Sequence, residues 1–325
     1  MSEFGLQNGL FCIIIQVIQR QDVSFFERVS VKLNIKDLLN SKRVSLSFEV
    51  FPPKENAQIC GVLSAVKRLS EQQPDFMSVT YGAGGGTSTN TAQIADYIEN
   101  KLNVTALAHL TCVSSTPNDI AAITGELSQK GVKNILALRG DLPSNMQNMP
   151  PRHYKYAAQL IRDLKKTNDF CIGGACYPEG HIENPNKEDD IAYLKEKVDA
   201  GCDFLITQLF FDNNVLYNFL YRLFQNNINV PVIAGIMPVT NIKSIRKMTK
   251  LSGAALTPKY KAMLDRFEHS PKALAQAGIA YAIEQVIDLI SNGVKGIHIY
   301  TMNKPEIAES IIAGVSHIIR GEQNK

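Results

Sequence analysis

From residue 44 onward, short apolar runs of strand length recur, and between them apolar positions return every three to four residues. The runs are VSLSFEVF (44–51), FMSVTYGA (76–83), VTALAHLTC (104–112), NILALRGD (134–141), CIGGACYP (171–178), FLITQLFF (204–211), VPVIAGIMP (230–238) and GIHIYTMN (296–303). Each is rich in β-branched or aromatic residues and bounded by turn formers, so the pattern predicts eight strands. Ile59, Leu63, Val66 and Leu69, or Ile191, Leu194, Lys195 and Val198, mark helical stretches between them. Most strand starts lie roughly 27 to 36 residues apart, the length of a strand plus a crossover helix. The last interval is about 65 residues, which predicts an extra helical excursion between strands 7 and 8.

Strand and helix alternate throughout, so the fold class is α/β. Eight repeats close most naturally into a single (β/α)₈ barrel. The competing open, doubly wound sheet usually carries a G-x-G-x-x-G turn after its first strand, whereas strand 1 here runs into Phe51-Pro52-Pro53. Gly82 to Gly86 is glycine-rich but lacks the Lys-Ser/Thr of a phosphate loop. Residues 1–30 match neither period and are set apart as an N-terminal extension, a leader or a remnant, leaving 31–325 as the barrel.

Composition narrows the class of protein. The 325 residues are 45% hydrophobic and 20% charged, ample for one large core. A net charge of +3 gives no reason to expect a nucleic-acid partner. Six cysteines without a C-x-x-C pair read as buried thiols of a cytoplasmic protein. The apolar run from Gly9 to Ile18 falls short of the roughly 20 residues a bilayer needs, and no basic segment precedes it as in an export signal. No membrane partner is expected.

In such barrels chemistry gathers where the strands end. The strand ends offer Glu49, Thr80 and Tyr81, His109 and Thr111, Arg139 and Asp141, Tyr177 with Glu179 and His181, Gln208, and Asn303. Any one of these can instead cap a helix or brace a loop. Glu49 stands out because its neighbours are Phe48, Val50 and Phe51. Burial favours the protonated form of a carboxyl group, which is what a general acid requires. The plainer alternative is an ion pair with Arg139. Arg139-Gly140-Asp141 joins a cation, a residue that lets backbone approach closely, and an anion, a set suited to a cofactor with phosphates and polar ring edges. His109 lacks the spacing of a metal site, and no G-x-S-x-G elbow accompanies it.

The segments S-F-E-V-F-P-P-K, S-V-T-Y-G-A, A-H-L-T-C, A-L-R-G-D, Y-P-E-G-H, K-V-D-A-G, I-T-Q-L-F-F-D and G-I-M-P-V resemble, in order, the motifs of bacterial methylenetetrahydrofolate reductases. The resemblance runs from about residue 36 to the C-terminus. It implies noncovalent FAD, hydride from NADH or NADPH, and reduction of 5,10-methylenetetrahydrofolate to 5-methyltetrahydrofolate by a ping-pong route in a cytoplasmic homo-oligomer. Glu49 then corresponds to the general acid and Asp141 to the carboxylate beside flavin and pterin. Gln208 corresponds to a side chain shared by nicotinamide and folate, and Thr80 also falls at the substrate and nucleotide positions. FAD-contact positions fall on Thr80, Ala83, His109, Arg139, Gly140, Asp141, Tyr156, Ala157, Ala175, Tyr177, His181, Asp190 and Lys197. Lys304 and Glu196 stand where arginine is common, so Lys304 would hold the folate tail as a point charge rather than a fork. The chain ends soon after the barrel, so regulation by S-adenosylmethionine is not expected. Two other readings share these residues, a flavin-free pterin-binding methyltransferase barrel and a noncatalytic folate- or flavin-binding subunit.

Overall fold

In the computed structural model eight parallel strands close in chain order into a barrel, β8 pairing with both β7 and β1. The structure describes residues 33–41, 44–53, 55, 58–81, 87–141, 153–167, 169–184 and 186–323; the extension 1–30 and Ala83 lie outside these. The strands are β1 (Ser45–Val50), β2 (Phe76–Val79), β3 (Thr105–Thr111), β4 (Asn134–Leu138), β5 (Cys171–Cys176), β6 (Phe204–Thr207), β7 (Val232–Ile236) and β8 (Gly296–Tyr300). All eight fall within the apolar runs of the sequence, but each ends two to four residues sooner, except β1 and β3, which end one residue sooner. The surplus residues form the loops at the barrel's C-terminal end.

The helices are α1 (Ile35–Asn40), α2 (Ile59–Ser70), α3 (Thr87–Asp96), α4 (Pro117–Gln129), α5 (Ala157–Thr167), α6 (Lys187–Asp199), α7 (Asn213–Gln225), α8 (Ile242–Ser252), α9 (Pro258–Phe267), α10 (Pro271–Ser291) and α11 (Pro305–Gln323). The excursion predicted between strands 7 and 8 is thus three helices, α8 to α10. Helix starts carry local signals: Thr116 and Asp119 form a reciprocal cap with Pro117 at the first position of α4, and Asn241 accepts from Ser244 N at the start of α8. By length and composition α10 could cross a bilayer, yet its Ala282, Val286 and Leu289 are buried in the core between barrel and helices.

Side chains alternate through the barrel wall. Leu46, Phe48 and Val50 of β1 pack outward against the helices, burial worth roughly 1.5–3 kcal/mol for each large side chain. A second cluster joins Ile35, Leu38 and Leu39 of α1 to Phe76, Leu107, Leu136, Phe204 and Ile233, so α1 plugs the N-terminal end of the barrel. Asn134 Oδ1 accepts from Ile35 N at 3.0 Å and fixes that plug to β4. Sequence periodicity did not reveal α1, which has a single turn and a half of helix before the first strand.

Candidate active site

With one end plugged, the inward positions nearer the other end become a polar basin. Ser47 and Glu49 of β1 have the same alternation as His298 and Tyr300 of β8, and Glu49 lies in register with Ser78 on one side and Tyr300 on the other. The basin opens into a cavity of about 1240 Å³. Glu49, Thr80, Tyr81, His109 and Thr111 line it from the first three strands, and Arg139, Gly140 and Asp141 from the end of β4. Ala175, Tyr177 and His181 come from β5 and its loop, Asp190, Glu196 and Lys197 from α6, Tyr156 and Ala157 from the start of α5, and Gln208 from the end of β6.

At the floor, Glu49 Oε2 lies 3.6 Å from His109 Nε2 and 3.9 Å from His298 Nε2. The expected alternative, an ion pair between Glu49 and Arg139, is not formed. Arg139 instead meets Glu183 through two bonds, Nη1 to Oε2 at 2.6 Å and Nη2 to Oε1 at 2.7 Å, because β4 delivers it to the rim rather than the floor. That pair raises the Arg139 pKa and lowers that of Glu183.

Burial pushes His109 down to about 4, against the opposing pull of Glu49, so its imidazole is neutral at pH 7. Its Nε2 has no hydrogen-bond partner. Burial also lowers Lys197, whose Nζ donates to Ala175 O at 2.6 Å, and pushes Tyr177 up to about 12. Burial, and after it the nearby Glu49, holds Tyr300 well above the usual phenol range. Its hydroxyl donates to Thr207 O at 2.6 Å.

The other sequence candidates lie elsewhere. Asn303 braces a loop, its Oδ1 accepting from Phe51 N and its Nδ2 donating to Phe51 O, both at 2.8 Å. Glu179 accepts from Ala255 N. Lys304 lines a separate depression of about 120 Å³ beside Met237, Asn241 and Met302. His298, Tyr300, Ser47, Ser78 and Glu183 were missed. Inspecting the strand tips alone passed over them, although the alternation Gly296, His298, Tyr300 through the last strand would have placed both rings inside.

The model of the family described as methylenetetrahydrofolate reductase matches residues 34–316. The chain belongs to the methylenetetrahydrofolate reductase family. It is 38% identical to 5,10-methylenetetrahydrofolate reductase of Buchnera aphidicola (Acyrthosiphon pisum, strain APS) over 285 residues, 85% of this chain and 95% of that one. It is 35% identical to the Escherichia coli K12 enzyme over 269 residues, 83% and 90% of the two chains. Among solved structures, a Clostridium thermocellum protein described as binding two copies of 5-methyl-5,6,7,8-tetrahydrofolic acid superposes with a TM-score of 0.58 at 18% identity, over 89% of this chain and 99% of that one, a likeness of fold. As a methylenetetrahydrofolate reductase family member, the chain is an oxidoreductase of folate-dependent one-carbon metabolism.

A flavin is expected in the methylenetetrahydrofolate reductase family, and the cavity residues suit one. The unpartnered His109 Nε2 offers a hydrogen bond to a ligand entering the basin. Gly140, at φ +84°, sits where an added Cβ would come within 2.9 Å of Thr111 Cβ, so the rim is cut for close approach. Tyr156 and Tyr193 stack at 6.3 Å at the edge, a platform for a flat ring.

Proposed function

We propose that this chain binds FAD noncovalently and reduces 5,10-methylenetetrahydrofolate to 5-methyltetrahydrofolate with NADH or NADPH as donor, in a ping-pong cycle. Bound FAD supplies the hydride, taken from the nicotinamide and passed to the folate. The observation that carries the reading is Glu49 at the floor of the cavity, 3.6 Å from a neutral imidazole. Such a carboxyl gives its proton to N10 as the C–N10 bond breaks, leaving a 5-iminium cation and a Glu49 carboxylate. Hydride addition to the cation completes 5-methyltetrahydrofolate.

Asp141 and Gln208 line the cavity; in this reading Asp141 binds folate and polarises its ring, and Gln208 meets nicotinamide or folate in turn. Arg139 and Lys197 bring positive charge for phosphates, with Thr80, Gly140, Tyr156, Ala157, Ala175, Tyr177, His181 and Asp190 completing the cofactor's surroundings. Since α1 closes the opposite end, both substrates use the same mouth, which favours alternating occupancy. Lys304 as a contact for the folate tail, a homo-oligomer and a cytoplasmic location belong to the same proposal.

Anaerobic rapid mixing of each half-reaction tests it. Glu49→Gln keeps size and removes the acid. Folate reduction is expected to fall about 10²- to 10⁴-fold, while flavin reduction by the nucleotide stays near wild type. Equal damage to both halves would make Glu49 a structural support. A protein that is colourless and takes up no FAD would return the flavin-free methyltransferase reading.

A further inference from the structure

His298 is fully buried, comes from the last strand, and has no part in the reading above. Its ring stacks on Phe76, with centroids 5.9 Å apart and planes 13° apart, and meets Tyr300 edge-on at 5.4 Å. Held in this way, it places its nitrogens between two serines. Nδ1 lies 2.7 Å from Ser47 Oγ, and Nε2 lies 3.3 Å from Ser78 Oγ. Ser47 Oγ in turn donates to Ile297 O at 3.1 Å.

The direction of this chain follows from its last member, because a backbone carbonyl only accepts. With its one hydroxyl hydrogen on Ile297 O, Ser47 is left to accept from Nδ1–H at 2.7 Å, and the tautomer follows from that assignment. Nε2 is then the bare nitrogen, accepting from Ser78 at 3.3 Å and carrying no hydrogen toward Glu49 Oε2, which lies 3.9 Å away. In this chain His298 and Ser47 each donate once and accept once, Ser78 donates, and Ile297 O accepts. The opposite tautomer would aim an N–H at Glu49 and favour the carboxylate, the form that has no proton to give.

We propose that His298 is a positioning residue for the acid, fixed by Ser47 as its Nδ1–H tautomer so that Nε2, on the Glu49 side, carries no N–H. It holds the acid in its donating form and carries no proton itself. The groups facing Glu49 are consistent with this. His109 comes from β3, His298 and Tyr300 from β8, and Ser78 of β2 lies in register beside Glu49. Among the described residues, the ion-pair neighbours of Glu49 within 4 Å are these two histidines, with no lysine or arginine.

The inference rests on Glu49 acting as the acid, and its test keeps the two apart. In the full-length holoprotein with ¹⁵N-labelled histidine, His298 is expected to show a protonated Nδ1 and a bare Nε2. Ser47→Ala is expected to shift that signal toward Nε2–H. Folate reduction should slow by about tenfold or more, on the scale of lost partners behind a working group. Ser47→Thr restores the hydroxyl and is expected to return both, whereas flavin reduction by the nucleotide stays near wild type in both variants.

An Nε2–H signal in the unaltered protein would overturn the proposal. So would a Ser47→Ala protein whose folate step keeps its rate, or one in which both half-reactions fall together with flavin content. If Glu49→Gln leaves folate reduction intact, the acid reading itself has failed. If Glu49→Gln abolishes folate reduction and Ser47→Ala changes nothing, the tautomer lock alone has failed.

Discussion

Arg139 and Glu183 meet fork to fork at the cavity rim, Nη1 2.6 Å from Oε2 and Nη2 2.7 Å from Oε1, one side chain at the end of β4 and the other in the loop after β5. The pair fixes the plane of the guanidinium and ties two rim loops together. Glu183 is half exposed, with 53% of its side chain accessible, so little folding stability resides here.

Arg139→Lys keeps the charge and removes the fork. FAD affinity is expected to fall roughly tenfold, while urea stability changes by less than about 1 kcal/mol. Fluorescence titration with FAD beside an unfolding curve separates the two effects, and a large stability loss with unchanged affinity would contradict this role.

His109 makes the apoprotein acid-sensitive. Its folded pKa, about 4, lies below the ordinary 6.5, so the unfolded chain binds more protons between those values. Stability is complete above about pH 6.5 and declines as pH falls through the window toward 4, by roughly 2 kcal/mol between pH 7 and 5. Urea unfolding at both pH values should show a slope that His109→Gln flattens.

Gly235 is where β7 makes room for Tyr300. A Cβ there would stand 2.5 Å from both Thr207 O and the Tyr300 hydroxyl. Gly235→Ala is expected to cost about 1–3 kcal/mol by overpacking. It should also break the bond from Tyr300 to Thr207 O; thermal melts of Gly235→Ala with and without Tyr300→Phe would show whether the ring is the obstacle.

The family match begins at residue 34 and α1 at Ile35. Deleting residues 1–30 is therefore expected to leave flavin content and turnover unchanged, measured on the purified truncated chain. Loss of flavin would assign those residues a place in the folded enzyme.

The strands and the long interval before β8 were legible because period and turn residues are local properties. The rim was legible for the same reason, since Arg139, Gly140 and Asp141 follow directly on a strand. Pairings across the barrel were not. Nothing near Glu49 in sequence says that its neighbours are His109 and His298, or that Arg139 turns to Glu183. Those choices depend on which strands meet when the sheet closes, and on which level of the barrel each side chain occupies. Asn303 misled because a strand tip with an amide looks the same whether it meets a ligand or a loop.

The seam between β1 and β8, where Ser45 lies beside Gly296 and Glu49 beside Tyr300, joins positions about 250 residues apart. Loop-closure entropy makes so distant a pairing slow to form, and β1 keeps an unsatisfied edge until residues near the C-terminus have been synthesised. A nascent chain holding only the first seven strands has Glu49 but neither His298 nor Tyr300. On the proposed roles of Glu49 and His298, catalytic competence arrives with the closing seam, and regained folate reduction during refolding would time that last step more faithfully than recovery of helical signal.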